Sequence, residues 1–249
     1  MAARKKTTHA KVDAAAIRPR SSLRKGRSAT IDHAARQPRQ DRSRERFERV
    51  LTAAEEVLQV ANIEDISLYD IARQGKLSPA SISYLFPTMA ALRIELNRRY
   101  NETSVAAVRE VQLSVAKMRN PRWQDWIAVV NRQVRDYCNR NRHVCEVIYG
   151  PALHRESLLE NIRANAKVGE SSLESLRQVF VVPEIPGLVE TFALMAHLTD
   201  ALWARSYTAH RRIDDNALED SNRLQITYLR TILPEVLPLN RMRKARGAG

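Results

Sequence analysis

A chain of 249 residues with 44% hydrophobic content and a formal net charge of +13 is long enough for one or two folded domains with a sizeable core. Seven glycines and four phenylalanines argue against a β-rich fold, two cysteines exclude a disulfide framework, and no apolar run approaches the roughly 18 residues of a membrane span. The charge is unevenly placed: residues 1–40 hold eleven Lys or Arg against two Asp, residues 239–249 hold four and no acid, and residues 41–238 are left with 26 of each sign. The positive charge therefore belongs to two tails and says little about the folded surface.

Residues 1–42 contain few large apolar groups, include Arg18-Pro19-Arg20 and Gln37-Pro38-Arg39, and lack helical periodicity, so they are expected to be disordered. Two readings of this arm stand side by side. It lies along phosphates or enters a minor groove and adds salt-sensitive affinity, or it is a solubilising extension or a misassigned start. It lacks the apolar core of a secretion signal, which together with the cysteine usage points to a reducing cytoplasm.

From about residue 44 the pattern becomes helical. Phe47, Val50, Leu51, Ala54, Val57 and Leu58 form one apolar stripe, opposite Arg44, Glu48, Arg49 and Glu55. Asn62 tolerates a left-handed backbone and marks a stop before Ile63 and Ile66. Ser67 and Asp70 have capping-box spacing and open a short helix whose apolar face is Leu68, Ile71 and Ala72. Gly75 and Lys76 break it, and Leu77-Ser78-Pro79 starts another with an apolar anchor, a capping hydroxyl and a proline at the first helical position. Two short helices joined by one tight turn make a helix-turn-helix, whose second helix enters a major groove.

The run of Arg44, Val50-Leu51, Ala53-Ala54, Val57-Leu58, Ile71-Ala72, Leu77-Ser78, Phe86 and Leu92 resembles the DNA-binding domain of TetR-type transcriptional regulators. The resemblance covers about 50 residues, and its anchors keep the family's mutual spacing. Three positions depart from the pattern. The family's turn glycine falls at Lys76, with Gly75 one place early; its tyrosine falls at Ser83, with Tyr84 adjacent; its lysine opening the fourth helix is Met89.

Beyond this head, a long helix is expected over 88–119, with Leu92, Leu96, Tyr100, Val105, Val108, Val111 and Val115 on its buried side and Asn120-Pro121 ending it. An aromatic helix follows over 123–140, then a short one over 144–149. Residues 152–180 form one helix or two broken near Gly169. A loop spans 181–187, and two antiparallel helices over 188–209 and 214–233 close the body. The resemblance implies that the last two pair with a partner subunit, and Leu194, Leu198, Ala201, Leu224 and Tyr228 are candidates for that seam.

The architecture read from the sequence is thus all-α. A basic arm (1–42) precedes a three-helix DNA-binding domain (43–87), a helical effector-binding and dimerisation domain (88–238) and a basic tail (239–249). The candidate DNA contacts are Ser67, Ser78, Pro79, Ala80, Ser81, Ser83, Tyr84 and Thr88, small or hydroxylic residues that approach base edges or phosphates closely; Ile82 and Leu85 are expected to pack inward. The candidate effector contacts are Trp123, Trp126, Tyr137 and Tyr149, with His197, Trp203 and Tyr207 on a later helix. Each aromatic taken singly reads first as ordinary core, and His197 first as a satisfied structural histidine; only their concentration in the body helices raises the pocket reading. Cys138, His143 and Cys145 have C-x4-H-x-C spacing, which lacks the paired CxxC of a structural zinc site. No GxSxG, phosphate-cradling glycine loop or HExxH is present, so neither a catalytic site nor a cofactor is expected.

The resulting expectation is a cytoplasmic, nucleoid-associated homodimer without membrane contact. It binds a palindromic double-stranded operator and is released as a repressor by an unknown small-molecule effector. The alternative is a nucleoid-associated architectural DNA-binding protein that has no regulatory ligand.

Overall fold

The computed structural model describes residues 34–38, 40–100, 115, 118–151 and 155–240, and the statements below concern these. Helix α1 (Asp41–Leu58) buries Phe47, Val50, Leu51, Ala54 and Leu58, the stripe that its sequence spacing defines. It packs on α2 (Leu68–Gln74), which packs in turn on α3 (Pro79–Leu85). The start of α1 at Asp41 is earlier than the periodicity marks, because its first turn is polar and carries an Asp41–Arg44 ion pair instead of apolar anchors. Between α1 and α2 lies a 3-10 turn, Ile63–Asp65. Asn62 caps that turn from an extended conformation with φ −83°, so it does not supply the left-handed stop expected of it.

Both helix starts in the motif are built as their residues dictate. The Ser67 hydroxyl accepts the Asp70 amide and the Asp70 carboxylate accepts the Ser67 amide, a reciprocal arrangement that satisfies two otherwise orphaned donors. Ser78 accepts the Ser81 amide, with Pro79 behind it. In the turn, the left-handed residue is Lys76 at φ 52°, whereas Gly75 is right-handed. Gly75 serves packing instead: a Cβ there would stand 3.1 Å from the Ala53 Cβ of α1.

Residues 89–100 form α4, with Leu92, Leu96 and Tyr100 buried; Val115 is helical and buried, and Val105, Val108 and Val111 lie outside the described residues. Asn120 turns left-handed at φ 53° ahead of Pro121. Helix α5 (Trp123–Arg140) follows, and the broken backbone of Asn141 separates it from α6 (Arg142–Ile148), which begins two residues before the expected Val144. Helix α7 (Arg155–Val179) is continuous through Gly169. That glycine marks a crossing and not a break, since a Cβ there would lie 2.6 Å from the Ala193 backbone nitrogen. Helices α8 (Leu188–His210) and α9 (Asp215–Leu229) complete the body, with α7 lying along α8 and α5 along α9.

The apolar interior forms two clusters. One runs from Phe47, Ile71 and Phe86 in the head through Leu96 to Val144 and Trp203 in the body. The other joins Trp126, Leu176, Phe180, Phe192 and Leu233. Arg93 of α4 is buried and donates to the carbonyls of Val147 (3.0 Å), Gly150 (3.0 Å) and Pro151 (2.5 Å), tying α4 to the end of α6. Burial pulls its pKa down to about 10, which leaves it charged at neutral pH. Leu194 and Tyr228 of the candidate seam are 44% and 42% exposed, and Leu158, Leu159 and Ile162 of α7 are exposed as well.

Candidate functional site

The head presents α3 on a surface prepared by its own packing. Ile82 and Leu85 are buried beneath it, and Ser78, Pro79, Ala80, Ser83 and Tyr84 are exposed, with Ser81 partly so. The Ser81 hydroxyl lies 2.8 Å from that of Ser78, so the two Ser side chains at the helix start hold each other. Two candidates are committed elsewhere: the Ser67 hydroxyl donates to Asp70 at 2.6 Å, and Thr88 Oγ1 accepts the Ala91 amide at 3.0 Å and caps α4. Those bonds from Ser67 also hold the Asp70 carboxyl below its usual range.

No residue of α3 is charged, and its cations come from neighbouring segments. The Arg36 guanidinium stacks over the Tyr84 ring at 4.7 Å while the Arg36 amide donates to the Leu85 carbonyl at 2.8 Å. Ser43 and Arg46 of α1 line a shallow groove with Ala80, Ser81 and Tyr84. Sequence reasoning missed Arg36, Ser43 and Arg46, because the segment before α1 has no periodicity and the spacing along α1 does not say which part of its polar face meets α3. Residues 34–38 sit against the head, with the Gln37 amide donating to Glu95 at 3.1 Å, although the sequence reading placed them in a disordered arm.

The body holds a partly open cavity of about 120 Å³ between α5, α7, α8 and α9. Of the seven effector candidates, it brings together Trp126, Tyr149 and Trp203. The other four lie elsewhere. The Trp123 indole donates to the Pro234 carbonyl at 3.0 Å, the Tyr207 hydroxyl donates to Glu146, Tyr137 packs against the first apolar cluster, and His197 is exposed, with Nδ1 3.5 Å from Asn165 Nδ2. The Trp126 and Trp203 N–H groups are turned away onto Ser175 and Ser221, both at 3.3 Å. Those two rings thus offer the cavity apolar surface, and Tyr149 and Trp203 meet edge to face at 5.9 Å.

Asp200 joins this lining, a residue the sequence reading did not single out. Its Oδ2 accepts from Asn165 Nδ2 at 2.7 Å. Burial pushes its carboxyl up to about 6, against the lowering effects of Asn165, His197 and the Tyr149 hydroxyl. The amide groups nearby are mutually engaged: Gln225 donates to Thr199, Asn131 to Asn222, and Asn97 to Asn161.

Below the cavity, α6 connects to the head through Glu146. This fully buried acid accepts from the Ile63 amide (2.9 Å) and the Tyr207 hydroxyl (2.5 Å), with Arg142 at 3.5 Å and Arg211 at 3.6 Å. The ends of α6 thus reach both places, since Ile148 and the following Tyr149 line the cavity. Cys138 and Cys145 are buried free thiols, and the Cys145 thiol is pushed well up by its bond to Cys138 and by burial, so Cys145 lacks the exposed thiolate character of a reactive cysteine.

No protein-family model matches the sequence, and no curated protein matches it significantly. Solved structures do. A TetR-family transcriptional regulator from Streptomyces coelicolor superposes with a TM-score of 0.58 at 17% identity, covering 77% of this chain and 99% of that one. A TetR regulator from Rhodococcus sp. RHA1 gives 0.55 at 15% identity, covering 77% and 100%. FadR of Thermus thermophilus, a TetR-family repressor in complex with lauroyl-CoA, gives 0.52 at 18% identity, covering 72% and 92%. The fold is that of the TetR-type regulators.

Proposed function

We propose that the protein is a sequence-specific DNA-binding transcriptional regulator, a repressor that leaves a palindromic operator when a small molecule occupies the cavity of its body. One observation carries this reading: an uncharged, exposed α3 flanked by Arg36 and Arg46 stands on a head joined through Glu146 to the same α6 whose far end lines the cavity. Pro79, Ala80, Ser83 and Tyr84 approach base edges, while Arg36, Ser43 and Arg46 take phosphates. Ser67 and Thr88 act first as caps and meet the backbone through their helix ends. Exposed Leu194 and Tyr228 on α8 and α9 supply the seam of a homodimer, which sets two copies of α3 about one DNA turn apart. An effector works only through its different affinity for the DNA-competent and DNA-incompetent states. The protein acts in the cytoplasm; among the described residues, no helix is long and apolar enough to cross a membrane.

Fluorescence anisotropy tests this with DNA from upstream of the gene against a scrambled duplex at ~0.15 M salt, where non-specific dissociation constants are roughly 10⁻⁴ to 10⁻⁶ M. The full chain and a chain beginning at Ala34 are both expected to prefer the upstream DNA. Equal binding of the two duplexes, lost with the arm, favours the architectural reading instead.

A further inference from the structure

Among the described residues of the cavity, neutral amide and hydroxyl groups and aromatic rings surround one carboxyl group, that of Asp200. Trp126, Tyr149, Trp203 and Phe192 make it apolar and aromatic, and yet Asp200 stands in the lining. Among the described residues, the lining contains no Lys, Arg or His. Asp200 accepts hydrogen bonds from the Asn165 amide and the Tyr149 hydroxyl, and the exposed His197 acts on it through space. Asp200 is half-buried and takes part in none of the ion pairs found among the described residues, whereas the fully buried Glu146 has two guanidinium groups within 4 Å. A carboxylate drawn partly out of water without an ion-pair partner is costly, and a positively charged ligand lowers that cost by pairing with it. Aromatic faces attract the same charge through their ring quadrupoles, most strongly Trp. Asp200 and Trp203 are three residues apart on α8 and so share one helix face, which places anion and ring on the same side of a bound molecule.

We propose that the ligand of this cavity is an organic cation, an amine carried on an aromatic or compact apolar body, with its ammonium group on Asp200 and its body against Trp126, Tyr149 and Trp203. The same lining disfavours anionic ligands, which would meet a carboxylate and no counter-charge. The proposal rests on the reading of this cavity as the effector site, and it narrows that reading to a class. A volume of about 120 Å³ admits a single substituted ring, since an engineered apolar cavity of about 150 Å³ holds benzene.

Three probes of matched shape decide it with the full-length protein: benzylamine, benzyl alcohol and phenylacetate, titrated at neutral pH with intrinsic tryptophan fluorescence as the readout. Benzylamine is expected to bind about tenfold or more tightly than benzyl alcohol, and phenylacetate more weakly than either. D200N is expected to erase the preference for benzylamine while keeping the binding of benzyl alcohol. Equal affinity for the amine and the alcohol, tighter binding of phenylacetate, no binding of any probe, or a folded D200N that keeps the preference overturns the proposal. Should D200N fail to fold, the wild-type series decides alone. Adding the upstream DNA separates this from the parent reading. Phenylacetate that releases DNA sinks the amine class and leaves the effector site standing, whereas benzylamine that binds without changing DNA affinity leaves the cation site standing and sinks the effector role.

Discussion

Glu146 and Asp200 are both acids of the body helices, the first fully buried and the second half-buried, and they are held in opposite ways. Glu146, at the junction with the head, accepts two hydrogen bonds and has Arg142 and Arg211 within 4 Å. Asp200, in the cavity wall, accepts from Asn165 and from the Tyr149 hydroxyl and lies near the His197 ring, with no guanidinium or ammonium among the described residues of the lining. A buried charge that is bonded on every side fixes geometry, because removing any partner leaves an uncompensated group. One that lacks a counter-charge leaves the folded chain less stable than it could be, as sites kept for a ligand commonly do. The first acid fastens head to body, and the second stands in the cavity wall with capacity for a further partner.

The contrast breaks most readily at Glu146. E146A removes the acceptor of the Tyr207 hydroxyl and the Ile63 amide in a site closed to water. Arg142 and Arg211 keep side-chain exposures of 32% and 45% and recover hydration, so the expected loss is about 3 kcal/mol, the lower part of the range for a broken buried pair. Urea unfolding measures it, and hydrogen exchange at the Ile63 amide should rise with it. A loss below about 0.5 kcal/mol would mean that the junction is as replaceable as ordinary surface.

At Asp200 the sign reverses. Its folded-state pKa of about 6 lies above the ordinary 3.8. Between those values the folded protein holds a proton that the unfolded chain has released, so the stability from this group is full at acid pH and is lost as pH rises through 6. D200N keeps an oxygen for Asn165 and removes the charge. It is therefore expected to stabilise the protein above pH ~6, by at most about 2–3 kcal/mol, with the gain fading towards pH ~4. Melts across that range check it. A stabilisation independent of pH, or a destabilisation, would place Asp200 in the same class as Glu146. His197 on the same helix is exposed and acts on Asp200 through space, and the Tyr149 hydroxyl donates to the Asp200 carboxyl.

Both acids share a signal in the sequence that was not used. Glu146 is the only acid between Asp136 and Glu156, and Asp200 the only one between Glu190 and Asp214, each within an apolar helical stretch. A lone charge there must be paired or waiting. The head was legible because its determinants are local: the Ser67–Asp70 box, the Ser78-Pro79 start and the α1 stripe each act within one or two turns. The cavity was legible only in part. Periodicity located aromatic helices, but whether Trp126 lines space while Trp123 caps a distant carbonyl depends on which helix crosses above each. Long-range contacts also decide that Gly169 marks a crossing and that Arg36 docks on Tyr84.

The finest test separates the two cations that hold Glu146. Arg142 also donates to Asn62 Oδ1 at 2.7 Å, whereas Arg211 sits at the rim, 45% exposed, and reaches Glu64 and Glu146 only at 3.5 and 3.6 Å. Arg211 also ends α8 in a left-handed conformation, φ 55°, where an L side chain is disfavoured by about 1 kcal/mol. Replacing it has two opposed consequences. R211A gives up the ion pairs and keeps the strain, and since exposed pairs contribute about 0–1 kcal/mol the expected loss is within that range. R211G gives up the same pairs and relieves the strain, so it should be more stable than R211A by about 1 kcal/mol and close to the parent chain. Paired urea melts resolve the difference. If R211G is as destabilised as E146A, the rim guanidinium is part of the fastening itself, and Glu146 is held by charge more than by the Tyr207 and Ile63 hydrogen bonds.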